Sequence, residues 1–232
     1  MAPRSYGQFC TLARTLDVVG QRWTLLVLRD LMLGAKRFTD LLDGLPGIGR
    51  NLLTERLRQL ESAGLITRDH LPAPAASRVY QLTDDGRALG PAMAALGRWG
   101  AERLDKPEPD LAFRPAWMVF PLAYMADPEA AGGVHEVYEL RVDGETFHLR
   151  VSDGAIEPRA GAGSDPVLVM RLATATLREL FTWELAPADA ISQGRIEVEG
   201  EPPALRRFMA IFAAGPAPHD QTQVPAATSS RA

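Results

Sequence analysis

The sequence predicts an α+β protein in two parts: a mainly helical first half closed by a two-stranded hairpin, and a second half whose antiparallel sheet is covered by helices. Three observations predict it. Apolar residues recur at helical spacing through the first sixty positions. In the second half, short β-prone runs are punctuated by Asp143-Gly144 and Asp153-Gly154, the residue pairs of tight hairpins. Between the halves, DKPEPD (Asp105–Asp110) sets two prolines among polar residues, which stops a helix and favours an extended connection. The expected boundaries are therefore a first domain over 1–104, a linker over 105–113 and a second domain over 114–214. The remaining 215–232, GPAPHDQTQVPAATSSRA, has no periodicity and few large apolar groups, and is expected to be disordered.

Composition narrows the function classes. At 232 residues, 46% hydrophobic and 23% charged, the chain suits two modest globular domains. It holds no run of about 18 apolar residues, and MAPRSYGQFC lacks the apolar stretch of a signal peptide, so a cytoplasmic protein without a membrane partner is expected. The single Cys10 excludes an internal disulfide. His70, His135, His148 and His219 are scattered, so neither a metal nor another cofactor is expected. The net charge of -4 is unevenly divided: residues 1–105 carry 14 Lys and Arg against 11 Asp and Glu, residues 106–232 carry 11 against 18. Only the first half suits a polyanion.

The elements of the first half follow in order. Cys10–Val19 places Leu12, Ala13, Leu16 and Val19 on one helical face, and Gly20 breaks it. RWTLLVLRDLMLG gives a second, mostly buried helix carrying Trp23, Leu26, Val27, Leu31 and Leu33. RFTDLLDGL forms a short third helix with Phe38, Leu41 and Leu42 inward. The turn LPGIG (Leu45–Gly49) then leads into RNLLTERLRQLES. Short helix, glycine-containing turn and second helix make a helix-turn-helix.

At about 100° per residue, Leu53, Leu57 and Leu60 share one face of that second helix, and Arg50, Asn51, Thr54, Glu55 and Arg58 occupy its sides and back. These are the side chains that read bases and hold phosphates: Arg bonds guanine twice, Asn does so with adenine, and Thr reaches a phosphate or a thymine methyl. A solvated amphipathic helix has the same pattern, so the sequel decides. Ile66–Leu71 and Ser77–Thr83 are β-prone runs joined by PAPAA, which makes a hairpin wing after the helix. Its tip, Pro72–Ala76, is flanked by Arg68 and Arg78, positioned for phosphates along the adjoining groove. Thr83–Leu104 then reads as one helix with an acidic first turn and a stripe of Leu89, Met93, Leu96 and Trp99.

These residues carry a resemblance. The motifs D-V-V-G-Q-R-W, R-F-T-D-L, L-T-E-R-L-R-Q-L-E-x-x-G-L and Y-x-L-T-x-x-G occur in order over residues 6–104, and together they resemble the HxlR family of bacterial winged-helix transcription regulators. The resemblance implies a winged helix-turn-helix that binds palindromic double-stranded operator DNA as a homodimer, its two recognition helices about 34 Å apart. Gly49 departs from the Ser or Thr that often starts the recognition helix in this family, which removes a side-chain cap and a phosphate contact. Cys10 matches an N-terminal cysteine through which some members sense oxidants. Against that role, free cysteines mostly act as small hydrophobes, and TLAR offers only Arg14 as a cation to activate the thiol.

In the second half, Phe113–Ala126 is apolar and aromatic enough to start a buried domain. VYELRVDGETFHLRVSDGAIEPRAG alternates as successive hairpins, Val167–Leu172 follows as a strand, and a helix begins at Thr174 with Thr174 and Thr176 available as caps. IEVEGEPPALRRFMAIF closes with a strand and a proline-started helix carrying Leu205, Phe208, Met209 and Phe212. V-S-D-G, S-D-P-V-L-V-M-R-L, L-x-x-L-F and G-R-I-E-V-E-G-E-P-P-A-L-R-R-F, over residues 116–214, resemble the sterol carrier protein type 2-like domain. The resemblance implies an apolar small-molecule ligand between sheet and helices. Its lining would be drawn from Trp117, Phe120, Leu140, Phe147, Leu168, Met170, Leu180, Phe181, Phe208 and Phe212.

No G-x-S-x-G elbow, glycine-rich phosphate loop or H-E-x-x-H motif occurs, so an enzyme is not expected. The expected protein is a ligand-responsive transcription regulator. The alternative is an apolar-ligand carrier whose winged helix serves dimerisation or protein docking.

Overall fold

The computed structural model describes residues 5–70, 77–101, 111–124, 126–182 and 184–212. The wing tip Pro72–Ala76, the prolines of the linker and the tail from 215 lie outside the described residues. Three helices come first: α1 (Thr11–Val19), α2 (Thr24–Met32) and α3 (Phe38–Gly44). Next come α4 (Arg50–Ser62) and the antiparallel strands β1 (Ile66–His70) and β2 (Arg78–Leu82). Lys36 adds a short bridge to Tyr80 at the base of this hairpin. Leu53, Leu57 and Leu60 of α4 are buried with Val27, Leu28, Leu31 and Leu41, so one apolar core holds the four helices under the hairpin.

The helix expected over Thr83–Leu104 is broken into α5 (Asp84–Ala88) and α6 (Gly90–Ala101). Pro91 accounts for the break, because its ring lacks the N–H of a continuing helix and clashes with the preceding turn. Thr83 caps α5 by accepting from the Gly86 amide at 3.1 Å. On the expected stripe, Met93 is buried and Leu89 half-buried, but Leu96 and Trp99 are 54% and 60% exposed.

The second half holds α7 (Pro115–Tyr124), then β3 (His135–Val142), β4 (Glu145–Ser152), β5 (Ala155–Ala160) and β6 (Leu168–Leu172). It closes with α8 (Thr174–Phe181), α9 (Pro187–Ser192), β7 (Ile196–Gly200) and α10 (Pro202–Phe212). Both Asp-Gly pairs take positive φ at both residues, at 44° and 87° for Asp143-Gly144 and at 48° and 82° for Asp153-Gly154, as tight hairpins require. Asp143 does a second job, accepting from the Thr174 amide at 2.8 Å. It, rather than a threonine hydroxyl, satisfies the start of α8, whose N-cap residue is Ala173.

The α+β class holds, but the sheet is mixed rather than wholly antiparallel. Its order is β5-β4-β3-β6-β7, and β3 and β6 run parallel. The cause is a crossover. After β5 at the outer edge, the chain returns across the face of β4 and β3 and enters β6 in the direction of β3. The return is pinned where the Gly163 amide donates to Glu139 at 3.0 Å; a Cβ on Gly163 would sit 2.5 Å from Val137. Glu139, 1% exposed, also accepts from Arg141 at 2.7 Å, so this buried carboxylate is fully engaged.

On the opposite face Tyr138, Leu140, Phe147, Leu149, Leu168 and Met170 meet Phe208, Ile211 and Phe212 of α10. The Tyr138 hydroxyl donates to Glu136, which also pairs with Arg207 of α10. Burial presses the Glu136 carboxyl up, but Arg207 and Tyr138 together hold it below its ordinary 4.5. A carboxyl depressed in the fold stabilises it above the unfolded value, and that stability is lost as pH falls through the folded value. The melting temperature is therefore expected to drop below about pH 4.5. Asp30 opposes this trend, since burial raises its carboxyl despite Arg29 beside it. In a thermal melt series from pH 7 to 3, Glu136→Gln should show a shallower acid decline; an unchanged slope would remove Glu136 as a source.

Candidate nucleic-acid interface

The turn before α4 is fixed by its neighbours rather than by a side-chain cap. Gly49 is the N-cap of α4 and Gly47 takes φ 92°, a conformation that glycine reaches at little cost. Trp23 packs over Gly47 and is itself left-handed at φ 78°, ending the loop between α1 and α2 rather than lying within α2. Arg56 Nε donates to the Arg22 carbonyl at 3.1 Å, tying α4 back to that loop. Sequence reasoning passed over Arg56, because nothing in a helical wheel shows that a flank arginine will meet a carbonyl 34 positions earlier.

With Leu53, Leu57 and Leu60 buried, α4 presents Arg50, Asn51, Thr54 and Arg58 to solvent together. The Thr54 hydroxyl donates to the Arg50 carbonyl at 2.9 Å, as exposed helical threonines do. Among the described residues, the side chains of Arg50, Asn51 and Arg78 make no hydrogen bond or ion pair, so their donors remain free for a ligand. Arg58 pairs with Glu55, and Arg68 on β1 pairs with Glu61 at 2.7 Å while lying over the Tyr80 ring. These pairs are solvent-accessible, so exchanging the carboxylate for a phosphate costs little. Arg78 stands at the start of β2 opposite His70, exposed where the hairpin leaves the described residues.

The Glu55 carboxylate sits among these exposed side chains and pairs with Arg58, so it would oppose a phosphate brought to this face. Glu55→Gln is therefore expected to tighten binding to random duplex DNA by about 3- to 10-fold at low salt. A salt-titrated anisotropy assay checks this, and unchanged affinity would place Glu55 outside the interface.

Cys10 is exposed and precedes α1 without a side-chain cap bond. Arg14, the cation counted on to activate it, has its guanidinium 3.3 Å from Asp17. Among the described residues no group of three metal-ligating side chains comes together, and no helix is long and apolar enough to cross a membrane.

The second-domain residues do not form one lining. Leu140, Phe147, Leu168, Met170, Phe208 and Phe212 share one close-packed core, with Leu180 half-buried against it and Phe181 half-buried. Phe120 points the other way, into the core of the first domain. Trp117 lies under the Arg29 guanidinium of α2, 4.6 Å from ring centre to Cζ.

Two family models match different stretches of the chain. The HxlR-like helix-turn-helix family model matches residues 18–108, and the alkyl sulfatase C-terminal model matches 115–218. An uncharacterized HTH-type transcriptional regulator of Synechocystis sp. is 39% identical over 100 residues, covering 43% of this chain and 74% of that protein. The HTH-type transcriptional regulator YvaP of Bacillus subtilis, also uncharacterized, is 34% identical over 92 residues, 40% of this chain and 85% of that protein. Among solved structures, the redox regulator HypR in its oxidized form is 32% identical and covers 42% of this chain and 100% of that one, with a TM-score of 0.39. The relatives thus match the half that carries α4 and the wing, and through it the chain belongs to the HxlR-like helix-turn-helix transcriptional regulators.

Proposed function

We propose that this regulator binds a palindromic operator as a homodimer, inserting α4 into the major groove and laying the wing arginines along the phosphates. The observation that carries the reading is the division of α4: three leucines seat the helix in its core, and Arg50, Asn51, Thr54 and Arg58 are left exposed on the outer side. Dimerisation is supported by apolar side chains exposed along the N-terminal segment and α1 (Phe9, Leu12 and Leu16) and on α6 (Leu96). The test is an anisotropy titration against the DNA flanking its own gene, with random DNA as control, at two salt concentrations. Tight binding that exceeds the control and weakens steeply with salt supports the reading; equal, weak binding to both DNAs overturns it in favour of an apolar-ligand carrier.

The second domain, in the same proposal, takes an apolar small molecule between its sheet and α8 and α10, in the manner of sterol carrier protein type 2-like domains. The name of the matching model, alkyl sulfatase C-terminal, is in keeping with a ligand bearing an alkyl chain. The Phe208 and Phe212 rings lie 4.7 Å apart, tilted by 40°, and both meet Tyr138 edge-on, so a ligand must part these rings to enter. Titration with a fluorescent fatty acid, with and without Phe208→Ala, tests this; no saturable binding to either protein removes the ligand.

A further inference from the structure

A continuous run of contacts leads from the second domain to the helix-turn-helix. Trp117 of α7 lies beneath Arg29. Arg29 directs Nε and Nη2 at a single oxygen of Asp30, at 2.9 and 2.8 Å. The other oxygen, Oδ2, faces Gly44, the last residue of α3, where a Cβ would lie only 2.5 Å away. No side chain fits there without displacing the carboxylate. The Arg29 and Asp30 side chains are 17% and 11% exposed, so water and salt screen their pairing little.

Other contacts between the halves have a different character. Phe120 enters the core of the first domain, the Tyr124 hydroxyl meets Met32 Sδ at 3.7 Å, and the Ala160 amide donates to the Leu33 carbonyl at 2.9 Å. These dock the domains on α2, as the Tyr124 ring against Gly90 does on α6, and they reach α3 only through the shared apolar core. The Trp117–Arg29–Asp30 run reaches α3 instead through a ring face, a forked donor and a carboxylate, all of which are directional.

We infer that Trp117 is a positioning residue for DNA reading: through Arg29 and Asp30 against Gly44, it sets how α3, and α4 behind it, are presented to the groove. The second domain thereby controls operator affinity from α7 without touching DNA. The inference rests on the DNA-binding reading above.

The test uses the full chain with Trp117→Ala, Trp117→Phe, Gly44→Ala and the double variant Trp117→Ala/Gly44→Ala, and has two readouts. In anisotropy titrations Trp117→Ala should weaken binding to the flanking DNA about 3- to 30-fold and Trp117→Phe should recover most of it, because a ring face remains under the cation. Gly44→Ala should lose a similar factor. The double variant should lie within about 2-fold of the worse single one, since both cut the same path. Wild-type affinity in Trp117→Ala, or losses that multiply, overturn the inference. Amide hydrogen exchange without DNA is the second readout. Trp117→Ala should quicken exchange in α3 and the turn before α4 and leave β3 and β4 unchanged; α3 exchanging at the wild-type rate overturns the inference even if the operator lies elsewhere. A wild type that fails to prefer any DNA, with α3 quickened as expected, would instead remove the reading of function and leave the coupling standing.

Discussion

Asn51→Ala is expected to weaken binding to the specific operator about 5- to 150-fold while leaving binding to random DNA nearly unchanged. Asn51 lies in the first turn of α4, exposed and without a partner among the described residues. The first turn of a recognition helix enters the groove most deeply. An asparagine amide there matches the donor and acceptor of an adenine edge, so truncation removes two bonds and relaxes selection at one base pair. Arg58→Ala should lose within the same range, toward its lower end, because the wild-type side chain must first leave Glu55. Arg78→Ala makes the contrast: a phosphate contact on the wing should weaken all sequences alike and reduce the salt slope by about one. Anisotropy titrations of the three variants on operator and random DNA separate these patterns, and unchanged operator affinity in all three would remove α4 and the wing from the interface.

Much of this was legible in the residues, and the parts that were not share a cause. Hairpins at Asp143-Gly144 and Asp153-Gly154 are local chemistry, since two consecutive positive φ values select those residues wherever the strands end up. The seating of α4 is likewise local, because three leucines at helical spacing choose one face. The parallel pairing of β3 with β6 depends on a return across the sheet pinned by Gly163 and Glu139, and neither residue signals that route alone. Helix α7 is the sharpest case. It is apolar nearly all round because one side meets the core of its own domain and the other meets α2 and α6. Such a helix has no solvent face from which to infer its orientation. Trp117 and Phe120, expected beside a ligand, therefore turned out to face the first domain.

The same reasoning about covered and uncovered faces gives the second large prediction. On the proposed homodimer, Leu12→Glu combined with Leu96→Glu is expected to give a monomer and to lower operator affinity by more than about 100-fold. Leu12 is 65% and Leu96 54% exposed, and neither is needed by the core of its own subunit. Adding charge at these positions should therefore leave the fold intact, whereas a charge buried between subunits without a partner opposes association strongly. A monomer reaches one half-site and forfeits the effective concentration that linkage gives the second recognition helix. Sedimentation gives the mass, a thermal melt shows whether the fold survives, and anisotropy on the full operator and on a half-site gives the two affinities. A folded variant that remains dimeric would move the interface away from α1 and α6. A monomer that binds the full operator as well as the wild type does would instead make each subunit an independent reader, and the palindrome would lose its physical basis.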